Sequence, residues 1–410
     1  MAIEYDPKVP AMLRDPYPVF TELRAAGGVQ WCPALSGWLA LDWASVNAVV
    51  MTPEVFSADR LAQINAHLQE PERTTADEVL EWLTRWIVFQ DPPDHTRIRR
   101  HLAGAINPKM VHRLRDATVE IATELLDELS GRASFDFYTE IGLRLPGFVV
   151  MDLLGVPRDR LSEVKSWSDE MMLFIGSSRG VPDKYTKARH GAHSMAGLFR
   201  ELIAQRRTDP QADTVTHLLN SEVSTPDGVD RMTDDEIVAA MMMIANGAQE
   251  TTAHLFSNAL IALEEHPDAH AKLAGDIDGL IATAVEEFLR YDSPVLSTAR
   301  LVVADTRLAG AKLRPGDRIF AMLAAANRDP AVFSDADTLA VEGHPAAHFA
   351  FSKGAHFCLG APIARMEAQV AIGEILRRFP NWRIAEPISE IPWMNSMVAR
   401  GPMRLPVTLA

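Results

Sequence analysis

The sequence predicts a mainly α-helical protein with small β-sheets. Several stretches carry apolar residues at helical three- and four-residue spacing, whereas the strand-like segments are short. A hydrophobic content of 47% over 410 residues can form a sizeable core. No internal repeat or linker-like composition divides the chain, so a single domain over 1–410 is expected. The predicted helices are Val119–Leu129, Met195–Arg207, Asp234–Glu265 and Pro362–Phe379, and the predicted strands are Gly37–Leu41, Arg300–Leu308 and Arg404–Leu409.

The composition also narrows the range of partners and locations. A formal net charge of −15 does not suit nucleic acid, which is bound by clustered positive charge. Two cysteines cannot build a disulfide framework, and the first residues lack the pattern of a signal peptide, so we expect a cytoplasmic protein. The longest apolar run, Ile237–Ala245, is far shorter than the roughly 20 residues that cross a bilayer, so no membrane anchor is expected.

The segment FSKGAHFCLG, residues 351–360, places Cys358 between two glycines. Structural zinc needs several protein ligands, and no other cysteine lies near Cys358. A single thiolate can instead be the only protein ligand of a haem iron, and glycines let a flat macrocycle approach the backbone. The spacing by itself also fits an inert core cysteine, which is the commoner role.

Two further segments place charged side chains on one helix face. Glu287 and Arg290 are three residues apart, so they can form a salt bridge, although such pairs are common on protein surfaces. His95 and Arg99 are four residues apart, so both can donate to one carboxylate, or both can be ordinary solvated cations. The spacing leaves these alternatives open.

The predicted helix Asp234–Glu265 contains the unusual segment ANGAQETTAH, residues 245–254. A glycine and a run of polar residues are unfavourable inside an apolar helix, and such violations tend to occur at functional sites. Alternatively, Thr251 donates back to a carbonyl of the preceding turn, as threonines within helices often do.

Together these segments resemble the cytochrome P-450 family. The family's haem loop reads Phe, two residues, Gly, one residue, His or Arg, one residue, Cys, one residue, Gly, and this chain fills every fixed position with Phe351, Gly354, His356, Cys358 and Gly360. The resemblance covers nearly the whole chain. It implies the single-domain triangular fold of that family, with the haem between the long oxygen-groove helix and the cysteine loop.

The resemblance also implies roles for individual residues. Cys358 would be the axial thiolate of haem b, iron protoporphyrin IX, within the loop that includes Phe351 and Gly360. Glu250 and Thr251 would deliver protons for the activation of dioxygen. Glu287 and Arg290 would be structural. The residues expected to contact the haem propionates are His95, Arg99, Arg300 and His356.

The chain departs from the family pattern at three places. The groove reads GAQETT where AGHETT is usual, so Gly247 stands one position early and Ala248 takes the customary glycine position. Ser352 follows the loop phenylalanine where glycine is common. The segment before PAAH offers Gly343 and His344 instead of the arginine that completes the family's structural triad, so the third member of that triad is left open.

The implied function is that of a haem-thiolate monooxygenase. It would insert one oxygen atom of O2 into a small-to-medium hydrophobic substrate by hydroxylation, O-dealkylation or epoxidation. A haem-thiolate peroxygenase or isomerase, or a non-catalytic haem-binding sensor, remains an alternative. The residues expected to line the substrate pocket are Met243, Asn246, Gly247, Val295, Leu296, Thr298, Met397 and Val398, together with the 86–89 and 171–174 regions.

A basic segment suggests how electrons reach the site. Between His95 and Arg115 there are six lysines and arginines and no acidic residue. A solvated helix face is the simpler interpretation, but in the family this region docks an acidic iron-sulfur ferredoxin. We therefore expect a ferredoxin, supplied by its own reductase, to be steered by Arg97, Arg100, Lys109 and Arg113.

Overall fold

The computed structural model describes residues 4–61, 68–175, 181–226, 228–344 and 346–409. Its α-helices are α1 Pro10–Arg14, α2 Tyr17–Ala26, α3 Trp43–Met51, α4 Glu72–Leu83, α5 Asp94–Ala105, α6 Pro108–Glu128, α7 Arg144–Leu154, α8 Leu161–Ile175, α9 Lys184–Thr208, α10 Thr214–Leu219, α11 Asp234–Ala248, α12 Glu250–Glu265, α13 Pro267–Gly275, α14 Ile277–Tyr291, α15 Leu323–Ala326 and α16 Ala361–Arg378.

The strands are short and form small sheets. They are β1 Val29–Cys32, β2 Gly37–Ala40, β3 Phe56–Ser57, β4 Ser134–Asp136, β5 Val223–Thr225, β6 Gly228–Asp230, β7 Thr298–Val302, β8 Thr306–Leu308, β9 Ala311–Leu313, β10 Arg318–Ala321, β11 Trp382–Ile384 and β12 Pro406–Leu409. The prediction of a mainly helical protein with small sheets is confirmed. Among the described residues, no helix combines the length and apolar character needed to span a bilayer.

The chain forms two compact units. Unit 1 comprises Met1–Ser57, Arg115–Pro146 and Glu250–Ala410, and unit 2 comprises Ala58–Leu114 and Gly147–Gln249. The single-domain assignment stays a prediction.

Unit 1 contains a five-stranded sheet in the order β1-β2-β10-β7-β3. Its pairs are antiparallel except for β2 with β10, which are parallel and place Ile319 beside Trp38. One face packs on α3 through buried apolar residues that include Val46, Val49 and Phe349. Helices α12, α14 and α16 pack against one another in the same unit, and the smaller sheet β11-β12-β4 completes it.

Unit 2 is built mainly of helices. The helices α8 and α9 pack closely along each other because Gly191 leaves room for the carbonyl of Trp167, which any side chain at 191 would strike. Helix α9 also contacts α4 and α11, and α10 packs on α5. A capping box starts α11: Thr233 Oγ1 accepts from the Glu236 N–H at 3.3 Å, and Glu236 Oε2 accepts from the Thr233 N–H at 2.8 Å.

Several predicted boundaries are corrected by the structure. The predicted helix Asp234–Glu265 is two helices, since α11 ends at Ala248 and α12 begins at Glu250, with Gln249 between them at φ −88° and ψ −62°. The predicted strand Arg300–Leu308 is likewise divided into β7 and β8. In both places the interruption is only one to three residues long, which periodicity alone does not resolve.

Candidate active site

The loop around Cys358 is held by backbone hydrogen bonds ahead of α16. The Cys358 N–H donates to the Phe351 carbonyl at 2.9 Å, and a short helical turn spans Gly354–His356. Cys358 is exposed, whereas Cys32 is buried, and neither is part of a disulfide. Cys358 is therefore not an inert core cysteine. A Cβ at Gly360, the N-cap of α16, would lie 4.0 Å from Sγ, so the sulfur is close to a helix N-terminus, where negative charge is favoured.

Backbone conformation explains two of the small residues in this loop. Gly354 has φ +68°, and a Cβ there would lie 2.9 Å from Met51 Sδ and 3.1 Å from the Val50 carbonyl, so the position requires glycine. Ser352 has φ +57°, in the left-handed region. That conformation accounts for the glycine that is common at this position in the family, and it makes serine a mildly strained replacement.

The pair Glu287 and Arg290 is buried rather than superficial. The two side chains are 1% and 2% exposed, and both guanidinium nitrogens that face the carboxylate lie 2.7 Å from its oxygens. A buried pair of this geometry is stable only when its remaining donors and acceptors are also satisfied. Of the two interpretations left by the spacing, the ordinary surface pair is excluded.

The backbone after α15 supplies the remaining partners of this pair. Arg290 donates to the carbonyls of Asn327, Ala336 and Thr338 at 3.1, 2.7 and 2.8 Å. Glu287 Oε1 accepts from the Ala340 N–H at 2.8 Å. Among the described residues, a main-chain N–H rather than a second arginine is thus the further donor to Glu287.

Neither Gly343 nor His344 replaces that arginine. Gly343 has φ +89° and packs against Thr283, where a Cβ would lie 3.3 Å from the threonine Cβ. The His344 ring packs on Phe333 with centroids 4.9 Å apart. Both residues shape the segment rather than pair with Glu287.

Two of the predicted propionate contacts belong to unit 1 and two to unit 2. Arg300 on β7 is buried, and its Nη1 donates to Thr298 Oγ1 at 2.8 Å and to the Ala299 carbonyl at 2.9 Å. His356 is half-buried at the end of the loop turn. On α5, His95 is buried and Arg99 is half-buried.

The oxygen-groove residues lie at the break between α11 and α12. Glu250 and Thr251 form the first turn of α12 and are half-buried. A carboxylate in the first turn is favoured by the helix dipole. Gly247 is exposed, and a Cβ there would meet nothing within 4 Å, so the early glycine is not required by packing in the described structure.

The Asn246 side chain is hydrogen-bonded within unit 2. Ser168 on α8 donates to Asn246 Oδ1 at 2.7 Å, and Asn246 Nδ2 donates to the Met242 carbonyl at 2.7 Å. The sulfur of Met195 lies 3.7 Å from the same nitrogen. A substrate oxygen would compete with these partners, of which Ser168 is too distant along the chain to be predicted.

In unit 1, two segments predicted to line the pocket lie side by side. The Leu296 N–H donates to the Val398 carbonyl at 2.7 Å, and Ser297 Oγ donates to the Met397 carbonyl at 2.8 Å. Val295 forms an isolated antiparallel bridge with Ala399. The predicted residues Val295, Leu296, Thr298, Met397 and Val398 are therefore brought together.

The basic segment is only partly available to a partner. Arg97 is ion-paired with Asp230 at 3.1 Å and with Glu236. Hydrogen bonding from His101, together with that from Arg97, lowers the pKa of Asp230. Arg113 donates to the Ala212 carbonyl.

Arg100 and Lys109 are exposed. Within the described ranges neither of them forms an ion pair.

Comparisons with known proteins give the family. The family model described as Cytochrome P450 matches residues 45–400. Cytochrome P450 107B1 of Saccharopolyspora erythraea is 34% identical over 91% of this chain and 89% of its own length. Vitamin D(3) 25-hydroxylase of Pseudonocardia autotrophica is 33% identical, with 97% and 94% covered.

A solved structure agrees with these relatives. P450BioI, in complex with an acyl carrier protein ligated to hexadec-9Z-enoic acid, has a TM-score of 0.88, 30% identity, and coverage of 98% of this chain and 99% of its own. This chain belongs to the cytochrome P450 family. The predicted P450 monooxygenase class is confirmed, and the family implies a haem cofactor, an organic substrate, O2 and redox partners.

The residues of unit 1 fit a haem. They provide an exposed thiol near a helix N-terminus, a loop in which Gly354 leaves no space for a side chain, and a buried guanidinium at Arg300. A soft anionic ligand and a cationic donor are the groups that iron and a propionate require.

Proposed function

We propose that this chain is a cytoplasmic haem-thiolate monooxygenase that uses Cys358 as the axial ligand of haem b. It transfers one oxygen atom of O2 to a small-to-medium hydrophobic substrate and receives electrons from a separate ferredoxin and its reductase. The exposed Cys358 thiol near the N-terminus of α16 carries the proposal. When bound, the haem supplies the redox chemistry that activates dioxygen.

The remaining site residues are proposed to bind and orient the haem. Arg300 and His356 are proposed to donate to the propionates from unit 1, and His95 and Arg99 keep the same predicted role on α5. Phe351 and Gly360 shape the loop on either side of Cys358. Glu287 and Arg290 hold the segment 327–340 in place, so they act on the site through the fold.

Glu250 and Thr251 are proposed to handle protons. Because they are half-buried in the first turn of α12, Glu250 can exchange protons with solvent and the Thr251 hydroxyl can hold one at Oγ1. A monooxygenase needs protons to be delivered for the activation of O2, whereas a peroxygenase or an isomerase does not consume O2. This pair therefore favours monooxygenation over those alternatives.

The substrate is proposed to be predominantly apolar. The adjoining segments with Leu296 and Met397 offer mainly apolar side chains, and Met243 and Gly247 on α11 are proposed to add to them. Asn246 already has partners for both ends of its amide, which favours recognition by shape over recognition by a hydrogen bond. The relatives include a vitamin D(3) hydroxylase and a protein solved with a fatty acyl carrier complex. Sterol-like and acyl substrates are thus reasonable classes to test.

The test begins with an optical titration of the ferric holoprotein. Aromatics, terpenes, fatty acids, steroids and acyl-carrier conjugates are added, and the compound that causes a low-spin to high-spin shift is kept. That compound is then incubated with a surrogate ferredoxin, its reductase, a nicotinamide reductant and isotopically labelled O2. One labelled oxygen atom per product is expected. Product formed only with peroxide would favour the peroxygenase, and binding without product under any condition would favour the sensor.

Thr251→Ala is expected to uncouple the enzyme. Consumption of the reductant should continue while product formed per electron falls about tenfold, since general acid catalysis is lost. Product and reductant are measured in the same reaction. Thr123→Ala is the matched control, because the Thr123 hydroxyl only donates back to the Val119 carbonyl on α6. Equal coupling in both variants would contradict the role of Thr251.

The ferredoxin is proposed to dock on the exposed part of the basic segment, at Arg100 and Lys109. Arg97 is left out of the test because its ion pairs with Asp230 and Glu236 stabilise unit 2. The double reversal Arg100→Glu and Lys109→Glu should slow electron transfer about tenfold at low ionic strength, with the difference shrinking as salt is added.

The control for this experiment has the same change in net charge. Lys187→Glu with Lys312→Glu reverses two exposed lysines on α9 and β9. If both double variants show the same rates and the same salt dependence, the docking surface lies elsewhere.

A further inference from the structure

The ion pair between Arg365 and Glu286, next to the cysteine loop, was not identified from the sequence. Arg365 on α16 donates through Nε and Nη2 to the two carboxylate oxygens of Glu286 on α14, at 2.6 and 2.8 Å. This is the two-point geometry in which guanidinium and carboxylate bind most strongly. All of these atoms belong to unit 1.

A histidine fixes the carboxylate from the other side. His348 Nε2 lies 3.2 Å from Glu286 Oε2, and His348 Nδ1 accepts from the Ala350 N–H at 3.1 Å, so the ring proton is on Nε2 and is donated to Glu286. Burial opposes ionisation of Glu286, but the hydrogen bonds from Arg365 and His348 outweigh it and lower its pKa to about 2. The carboxylate is therefore charged at any physiological pH.

The same guanidinium covers the phenylalanine of the haem loop. Arg365 Cζ lies 4.6 Å from the centroid of the Phe351 ring, within the range of a cation–π interaction. The ring also contacts Phe357, whose centroid is 6.4 Å away in an edge-to-face arrangement, and His348, whose centroid is 6.1 Å away. Phe351 thus contacts both the fixed cation and a residue adjacent to Cys358.

Phe351 connects this arrangement to the thiol. Its carbonyl accepts the hydrogen bond from the Cys358 N–H at 2.9 Å. Phe351 therefore contacts Arg365 through its ring and Cys358 through its carbonyl. A chain of direct contacts therefore runs from Glu286 through Arg365 and Phe351 to Cys358.

We propose that Arg365, oriented by Glu286, is a positioning residue that keeps the Cys358 thiolate at the iron. The inference rests on the proposed haem-thiolate function. Glu286 fixes the guanidinium, the guanidinium fixes the Phe351 ring, and Phe351 fixes the Cys358 backbone. Loss of any of these contacts leaves the Cys358 thiolate as the iron ligand but makes its displacement from the iron easier.

The test uses the holoprotein with Arg365→Met, Arg365→Lys and Glu286→Gln. The ferrous carbon monoxide complex is recorded during exposure to denaturant below the unfolding transition, and the rate at which the red-shifted thiolate band is lost is measured. Arg365→Met is expected to accelerate that loss about fivefold. Arg365→Lys keeps the charge but not the planar fork, so it should show a smaller acceleration. The midpoint potential of the haem should shift in Arg365→Met and Glu286→Gln.

Arg377→Met is the matched control. Arg377 lies on the same helix and pairs with Glu374 and Asp278, but that cluster is more exposed and does not contact the loop. Far-ultraviolet circular dichroism and the unfolding midpoint, recorded for every variant, separate general destabilisation from loss of the ligand. Arg365→Lys and Glu286→Gln carry the test if Arg365→Met does not fold.

The outcomes distinguish the two proposals. If wild type shows the thiolate band and all three variants lose it at the rate of Arg377→Met with an unchanged potential, the positioning role is overturned. If wild type lacks the band, the haem-thiolate function fails and the positioning role fails with it.

Discussion

Cys358→Ser is expected to abolish the red-shifted band of the ferrous carbon monoxide complex and to reduce turnover about a thousandfold or more. A serine hydroxyl is a far weaker ligand and does not supply the electron density that a thiolate gives to the iron. The position is exposed, so the substitution removes no packing from the core. The variant is measured by carbon monoxide difference spectroscopy and by product formation with the compound selected in the optical titration.

The chain contains its own control for this experiment. Cys32→Ser alters the other cysteine, which is buried and donates from Sγ to the Tyr5 carbonyl at 3.1 Å. A hydroxyl can make the same hydrogen bond. The band and the turnover should survive in Cys32→Ser. Retention of the band in Cys358→Ser would remove Cys358 from the proposed site.

Glu287→Gln is expected to lower the free energy of unfolding by about 3 kcal/mol or more. The substitution leaves the Arg290 guanidinium charged and buried without its counter-charge, which is the costly way to break a buried pair. It also removes a charged acceptor from the Ala340 N–H. Urea unfolding of the haem-free protein measures the effect without involving the cofactor.

Glu374→Gln is the comparison for Glu287→Gln. Glu374 pairs with Arg377 at 2.7 Å, also three residues apart on a helix, but both side chains are more than a third exposed. Exposed pairs of this kind contribute about 0.5 kcal/mol. If the two substitutions lowered the free energy of unfolding equally, burial of the Glu287–Arg290 pair would make no difference to its contribution to stability.

The sequence predicted the fold class and the local motifs because each depends on neighbouring residues. The left-handed backbone at Gly354 and the Glu287–Arg290 spacing are examples, since both are set within a few positions along the chain. The break at Gln249 is a single residue, so helical spacing did not predict where α11 ends and α12 begins. Its neighbouring residues gave a reason to expect a special site but not its geometry.

Contacts between distant segments could not be predicted in the same way. Arg97 was expected to be a steering charge, yet its partner Asp230 is 133 residues away, so nothing near Arg97 in the sequence indicated that it was occupied. Asn246 is similar, because its partner Ser168 is 78 residues away. In both cases the tertiary structure supplies a hydrogen-bond partner that makes the side chain less available to an external ligand or protein.

The backbone contacts of Arg290 have a consequence for how this protein can change over evolution. An arginine that pairs with Glu287 must be retained as arginine, whereas the backbone groups that contact Glu287 and Arg290 are offered by nearly every residue type, since only proline lacks the N–H. The segment that contains Ala336 and Thr338 is therefore restricted in its path but not in its side chains. Side chains in this segment can therefore change while the Glu287–Arg290 pair keeps its backbone partners. This member of the family can lose the signature arginine without losing the structure that the arginine usually supports.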